Sequence, residues 1–114
     1  SAYLVPIDGA VADAMMAGCP FYTNYVIPAG TYPGQDADVT TVTVKATLIV
    51  SASASEDDVY KLTAAIFDNA ADIARENGKG AELSLENATS GMTAPFHKGA
   101  AKYFAEKGIT VETE

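Results

Sequence analysis

Apolar and polar positions along this chain change period several times, and each change marks an element. Residues 3–7 (YLVPI) are apolar and partly β-branched, which predicts a short strand. Asp8 is placed to cap a helix over residues 10–17 (AVADAMMA), where Val11, Ala14 and Met15 supply the apolar face at i, i+3 and i+4. Gly18 and Pro20 end that helix. Residues 21–27 (FYTNYVI) are aromatic and β-branched and predict a second strand. Residues 39–50 (VTTVTVKATLIV) predict a third, longer than the usual ~5–6 residues. Val42, Val44, Ala46, Leu48 and Val50 share one face, and Thr41, Thr43, Lys45, Thr47 and Ile49 the other. The run alternates at first and then becomes apolar on both faces, as a strand does when it passes from a half-exposed setting into a buried one. Such a strand suits a crossing between two lobes.

The second half of the chain reads as helical. Ser55 is a good N-cap, and Glu56, Asp57 and Asp58 place anions in the first turn, where the helix dipole favours them. One helix is expected over residues 56–76. Its stripe is Val59, Leu62, Ile66, Ala70 and Ile73, widened by Tyr60, Phe67 and Ala71, and this reads as core packing. Residues 77–80 form a turn, residues 83–87 (LSLEN) a short helix capped by Ser84, and residues 89–95 an irregular stretch. A last amphipathic helix is expected over residues 98–107, with Ala101, Phe104 and Ala105 inward and Gly108 as its stop. Residues 109–111 add an edge strand or none. The fold class is α+β.

Between the second and third strands lies VIPAGTYPGQ, residues 26–35. Pro28 and Pro33 fix their own φ and remove backbone donors, and Gly30 and Gly34 permit positive φ. A restricted loop therefore joins two extended segments. It is a plain connection or a platform for binding groups, and rigid loops held by strands serve both ends.

Composition narrows the function classes. The 114 residues suit one core and are too few for two. A hydrophobic share of 48% with 19% charged residues fits a folded chain rather than a disordered one. The net charge of −8 argues against nucleic acid and against anionic membrane surfaces. No apolar run reaches the ~18 residues that span a bilayer. The single cysteine, Cys19, forms no internal disulfide and no zinc-type pattern, and reads as a small half-buried apolar residue.

Candidate chemistry is sparse. His97 is the only histidine, and it lies at a loop-to-helix junction without a nucleophile elbow or metal-ligand spacing. It reads as a structural residue at a helix N-terminus, with ligand contact and catalysis as rivals. Asp36 and Asp38 read as a solvated acidic turn, since the offsets of a calcium loop are missing. Tyr22, Tyr25, Thr31, Tyr32 and Lys45 lie on the restricted loop or on the strands flanking it. Tyr offers an apolar ring with a hydroxyl tip, and Lys45 is the one cation of its strand. These groups suit a carboxylate-bearing small molecule. The rings equally suit core filling.

Several segments in order carry a resemblance. They are LVPIDG (4–9), PFY (20–22), IPAGTYPGQD (27–36), VKATLIVS (44–51), SEDDVYKLTAAIF (55–67), SLENA (84–88) and PFHKGAAKYFAEKGI (95–109). The chain resembles the C-terminal third of the TAXI-type periplasmic solute-binding proteins of TRAP transporters. The resemblance implies a piece of a two-lobed, Venus-flytrap protein of the type II periplasmic-binding fold. It implies a periplasmic receptor that closes on a small organic solute, glutamate-like or another carboxylate, and delivers it to TRAP membrane subunits. It implies no enzyme activity and no cofactor. On this reading residues 1–38 end the second lobe and carry the cleft loop. Residues 39–50 cross between lobes, and residues 51–114 are a helical part packing on the first lobe. Tyr32 and Thr31 are the leading ligand contacts, followed by Tyr22 and Lys45. Exposed strand edges would let two copies of this piece pair as a homodimer. The rivals are a partner-binding module without a small-molecule site and a hydrolase-like enzyme using His97.

Overall fold

The computed structural model describes residues 3–114. Among the described residues the fold is mixed α/β, with one two-stranded sheet and five α-helices. In order these are α1 (Gly9–Gly18), β1 (Thr23–Ile27), β2 (Val39–Thr43), α2 (Glu56–Asp68), α3 (Ala70–Glu76), α4 (Leu85–Thr89) and α5 (Lys98–Glu106), with a 3-10 turn at Gly78–Glu82 before α4. Length alone predicts a single core, yet the chain divides into two compact units, the first ending at Ala46 and the second running from Thr47 to Glu114. The reason is the distribution of buried apolar groups. Ala12 is the buried apolar residue of the first unit, whereas Val59, Tyr103 and Phe104 are those of the second, among the described residues.

In the first unit β1 and β2 form an antiparallel hairpin whose register runs from Thr23 opposite Thr43 to Ile27 opposite Val39. Its β-branched and aromatic residues fit the pleated surface. The expected strand at residues 3–7 does not form. Strands exist through their ladders, and here one main-chain bond, Ile7 N–H to the Thr40 carbonyl at 3.1 Å, ties the segment down. Pro6 has no donor to extend that pairing, and Tyr3 and Val5 stay 87% and 79% exposed. Helix α1 forms as expected, but its inward side is Ala12, while Val11 is exposed and Met15 half-buried. A helix this rich in small apolar residues has no strong periodicity to choose its face, and Ala permits the closest approach. Asp8 sits at the N-cap without a side-chain capping bond.

The expected long strand ends at Thr43. Residues 44–50 take no regular structure, and Val44, Leu48, Ile49 and Val50 are all exposed, Ile49 by 81%. Burial predicted from an apolar run requires a neighbouring strand, and β1 ends opposite Thr43. The boundary between the two units falls inside this run.

In the second unit Ser55 caps α2, its hydroxyl accepting from Asp58 N–H at 3.4 Å. The single expected helix breaks at Asn69 into α2 and α3. The Asn69 carboxamide donates to the Ala65 carbonyl at 2.7 Å, the local competition that makes Asn a poor helix interior residue. Ser84 caps α4 as expected, accepting from Asn87 N–H at 3.1 Å. Helix α5 packs on α2. A Cβ on Gly99 would collide with the Glu56 carbonyl oxygen and the Tyr60 main-chain nitrogen, so only glycine allows that approach. Behind it Tyr103 stacks on Phe67 with ring centroids 5.8 Å apart, and Phe104 meets Phe67 and Phe96 edge-on, each at 5.6 Å. Tyr103, unanticipated in the pattern, and Phe104 are buried in this helix together with Gly99, while Ala101 is half-buried and Ala105 exposed. Gly108, at φ 81°, ends α5 as expected. No strand forms over residues 109–111; Phe96 N–H instead reaches the Glu112 carbonyl at 2.8 Å.

Tyr103 links this packing to pH. Burial, then its hydrogen bond to Asp68 at 3.2 Å, raises the phenol above its ordinary value. A raised folded-state pKa gives stability that is complete below the unfolded value near 10 and is lost as pH climbs through the folded value. Urea unfolding should therefore show an alkaline loss of stability that Tyr103→Phe reduces. An unchanged alkaline slope in the variant would contradict this origin.

Candidate functional site

The hairpin loop is closed by its own side chains. Gly30 and Gly34 adopt φ of 78° and 79°, as the sequence anticipates. The Gln35 carboxamide reaches into the turn. Its Nε2 donates to the carbonyls of Ile27, Pro28 and Ala37 at 3.1, 3.0 and 3.0 Å, and its Oε1 accepts from Tyr32 N–H at 3.3 Å. Its main chain joins in, the carbonyl accepting from Gly30 N–H at 2.8 Å and the N–H donating to the Tyr32 carbonyl at 3.1 Å. Asp38 Oδ1 accepts from Ala29 N–H at 2.8 Å. The acidic turn is thus partly a loop clasp rather than only a solvated surface. Asp36 is exposed.

Four residues stand out in the sequence as ligand contacts, and the hairpin sorts them into two groups. Thr31 and Tyr32 share the loop tip, both exposed, Tyr32 by 53%. The Thr31 hydroxyl donates to the Pro28 carbonyl at 2.7 Å, so toward a ligand it has lone pairs to offer and no proton. Tyr22 and Lys45 flank the opposite end of the ladder, next to Thr23 and two residues beyond Thr43, and both are half-buried. Tyr22 packs its ring against Phe21 at 4.9 Å. Four residue steps of antiparallel strand, about 3.4 Å each, put roughly 14 Å between the two ends. Tyr25 lies between them on β1, opposite Thr41.

His97 has a different task. It is the N-cap of α5, and Nδ1 accepts from Gly99 N–H at 3.1 Å. Because an amide can only donate, Nε2 carries the ring proton and gives it to the Ala54 carbonyl at 3.2 Å. Both ring nitrogens are thus engaged by main chain. Among the described residues no group of three or more His, Cys, Asp or Glu is placed to hold a metal ion. No helix among them is long and apolar enough to cross a membrane. An open groove of about 390 Å³ in the second unit, lined in part by Met92, Phe96 and Val111, contains none of the residues singled out in the sequence.

The loop tip carries an exposed aromatic hydroxyl on a closed turn, and a lysine lies two residues beyond the other end of the ladder. The family model of the NMT1-like family matches residues 1–108, and the chain belongs to that family. The family is related to periplasmic solute-binding proteins, is one of binding proteins, and is typically extracytoplasmic.

The capping role of His97 has a direct consequence. His97→Ala should destabilise the second unit by about 1 kcal/mol, and His97→Asn, which keeps a capping acceptor, by less. Urea unfolding followed through the far-UV helix signal checks the order. Equal losses for the two variants would contradict capping as the cause.

Proposed function

We propose that this chain is the C-terminal portion of a TAXI-type receptor of a TRAP transporter, and that it helps capture a small organic solute, a carboxylate or an amino acid, in the periplasm. The observation that carries the reading is the family match over residues 1–108. The segments IPAGTYPGQD and PFHKGAAKYFAEKGI support the narrower class. In this reading residues 1–38 close the second lobe and carry the cleft loop. Residues 39–50 cross between lobes, residues 51–114 pack on the first lobe, and the closed receptor hands the solute to TRAP membrane subunits.

The ligand contacts we propose are Tyr32 and Thr31 at the loop tip, with Tyr22 and Lys45 as a second point. Tyr32 would donate its phenol proton to a carboxylate oxygen, Thr31 would accept from an ammonium or hydroxyl donor of the solute, and Lys45, the one Lys or Arg of residues 1–46, would supply positive charge. Closure needs contacts that exist in one state and not in the other, and in this reading these residues make them where the lobes meet on the solute. The exposed Leu48 and Ile49 favour a second reading, pairing of two copies through that segment.

Thermal unfolding of the chain in its full-length parent, against a panel of amino acids and dicarboxylates, tests the proposal. A solute at a hundred times its dissociation constant should stabilise the protein by about 2.7 kcal/mol. Tyr32→Phe should weaken that solute by roughly three- to tenfold, the worth of one hydrogen bond. Lys45→Ala reads the second point separately. No stabilisation by any member of the panel would overturn the solute class proposed, and concentration-dependent sedimentation without solute binding would favour pairing.

A further inference from the structure

We propose that Gln35 is the positioning residue of the candidate loop: its carboxamide holds the hairpin connection in one shape, so that Tyr32 is presented before any solute arrives. The inference rests on the reading of that loop as the solute-contacting one. Its own grounds are the geometry of a single side chain.

A connection of this kind must satisfy its main-chain groups without a helix or a ladder. Here Gln35 supplies most of the partners. It donates to the carbonyls of Ile27, Pro28 and Ala37, which lie on both arms of the turn, and it accepts from the N–H of Tyr32 at the tip. The two amide hydrogens serve these three carbonyls, so at least one is shared. The side chain thus bridges the start, tip and end of the loop at once. Asp38 adds one bond, to Ala29 N–H, and Thr31 another, to Pro28.

The chemistry is selective. A residue at this position must both donate and accept. Glutamate has the same length and can still accept from Tyr32 N–H, but ionised it sets negative charge against three carbonyl oxygens and donates to none. Protonated, it regains one donor. Gln35→Glu should therefore give a loop that opens at neutral pH and partly closes in acid. Gln35→Ala should be open at both.

Amide exchange in the unliganded chain, corrected for its intrinsic pH dependence, reads this directly. In the unsubstituted protein Gly30, Thr31 and Tyr32 should be protected. Gln35→Ala should lower that protection on the order of tenfold, the worth of one to two hydrogen bonds. Gln35→Glu should match it at pH 7 and recover protection below the ordinary glutamate range near ~4.3. Asp38→Ala should affect Ala29 chiefly. The α5 amides of Tyr103 and Phe104 report that the second unit is intact. If a variant melts the hairpin as well, acid recovery of the hairpin amides in Gln35→Glu but not in Gln35→Ala still supports the carboxamide as the clasp. Rapid exchange at Gly30 and Tyr32 in the unsubstituted chain, or undiminished protection in Gln35→Ala, would overturn the proposal. No solute is used, so a failure here is distinct from a failure of the solute reading.

Discussion

A main-chain polar group that leaves a helix or a ladder must find another partner, and in this chain polar side chains repeatedly supply it. Ser55, Ser84 and Asn77 accept from N–H groups at the start of α2, α4 and the 3-10 turn. His97 does so for α5 and, through its other nitrogen, ties that helix to Ala54. In the hairpin the same constraint is met by Gln35 and Asp38. Each of these residues fixes where an element starts or how a loop folds. The packing of α2 on α5 follows, because Gly99 can meet the Glu56 carbonyl closely only if α5 begins where His97 caps it.

This constraint also divides what was legible in the sequence from what was not. Caps declare themselves locally: Ser55 before three acidic residues and Ser84 before a short apolar run predict the helix starts that form. Pro and Gly declare the loop, and both Gly30 and Gly34 take the positive φ expected of them. Pairing does not declare itself. Residues 3–7 and 44–50 have strand composition, yet a strand needs a neighbour, which lies elsewhere in sequence or in space. The break at Asn69 was hidden, because Asp68 and Asn69 lie off the stripe and Ile66, Ala70 and Ile73 keep the helical period across it. The inward turn of Tyr103 depends on Phe67 across the interface, a contact no single window contains.

The candidate site was half legible. Rigidity and the presence of Tyr and Thr could be read from residues 26–35, but not that Tyr32 would stand exposed rather than fill a core. The agent of that rigidity could not: Gln35 looks like an ordinary surface residue until its carboxamide is seen reaching Ile27, Pro28 and Ala37. Nor does the sequence reveal that Lys45 and Tyr32 belong to opposite ends of one short ladder. The N–H groups of Ala29, Gly30, Thr31 and Tyr32 are turned to acceptors within the loop.

The most direct measurement is a solute titration of the proposed receptor containing these residues, followed by amide and side-chain NMR shifts. The account predicts that the shifts at saturation gather on Thr31 and Tyr32, with Tyr22 and Lys45 as the other responsive pair. Shifts confined to the groove around Met92, Phe96 and Val111, with the hairpin silent, would contradict it.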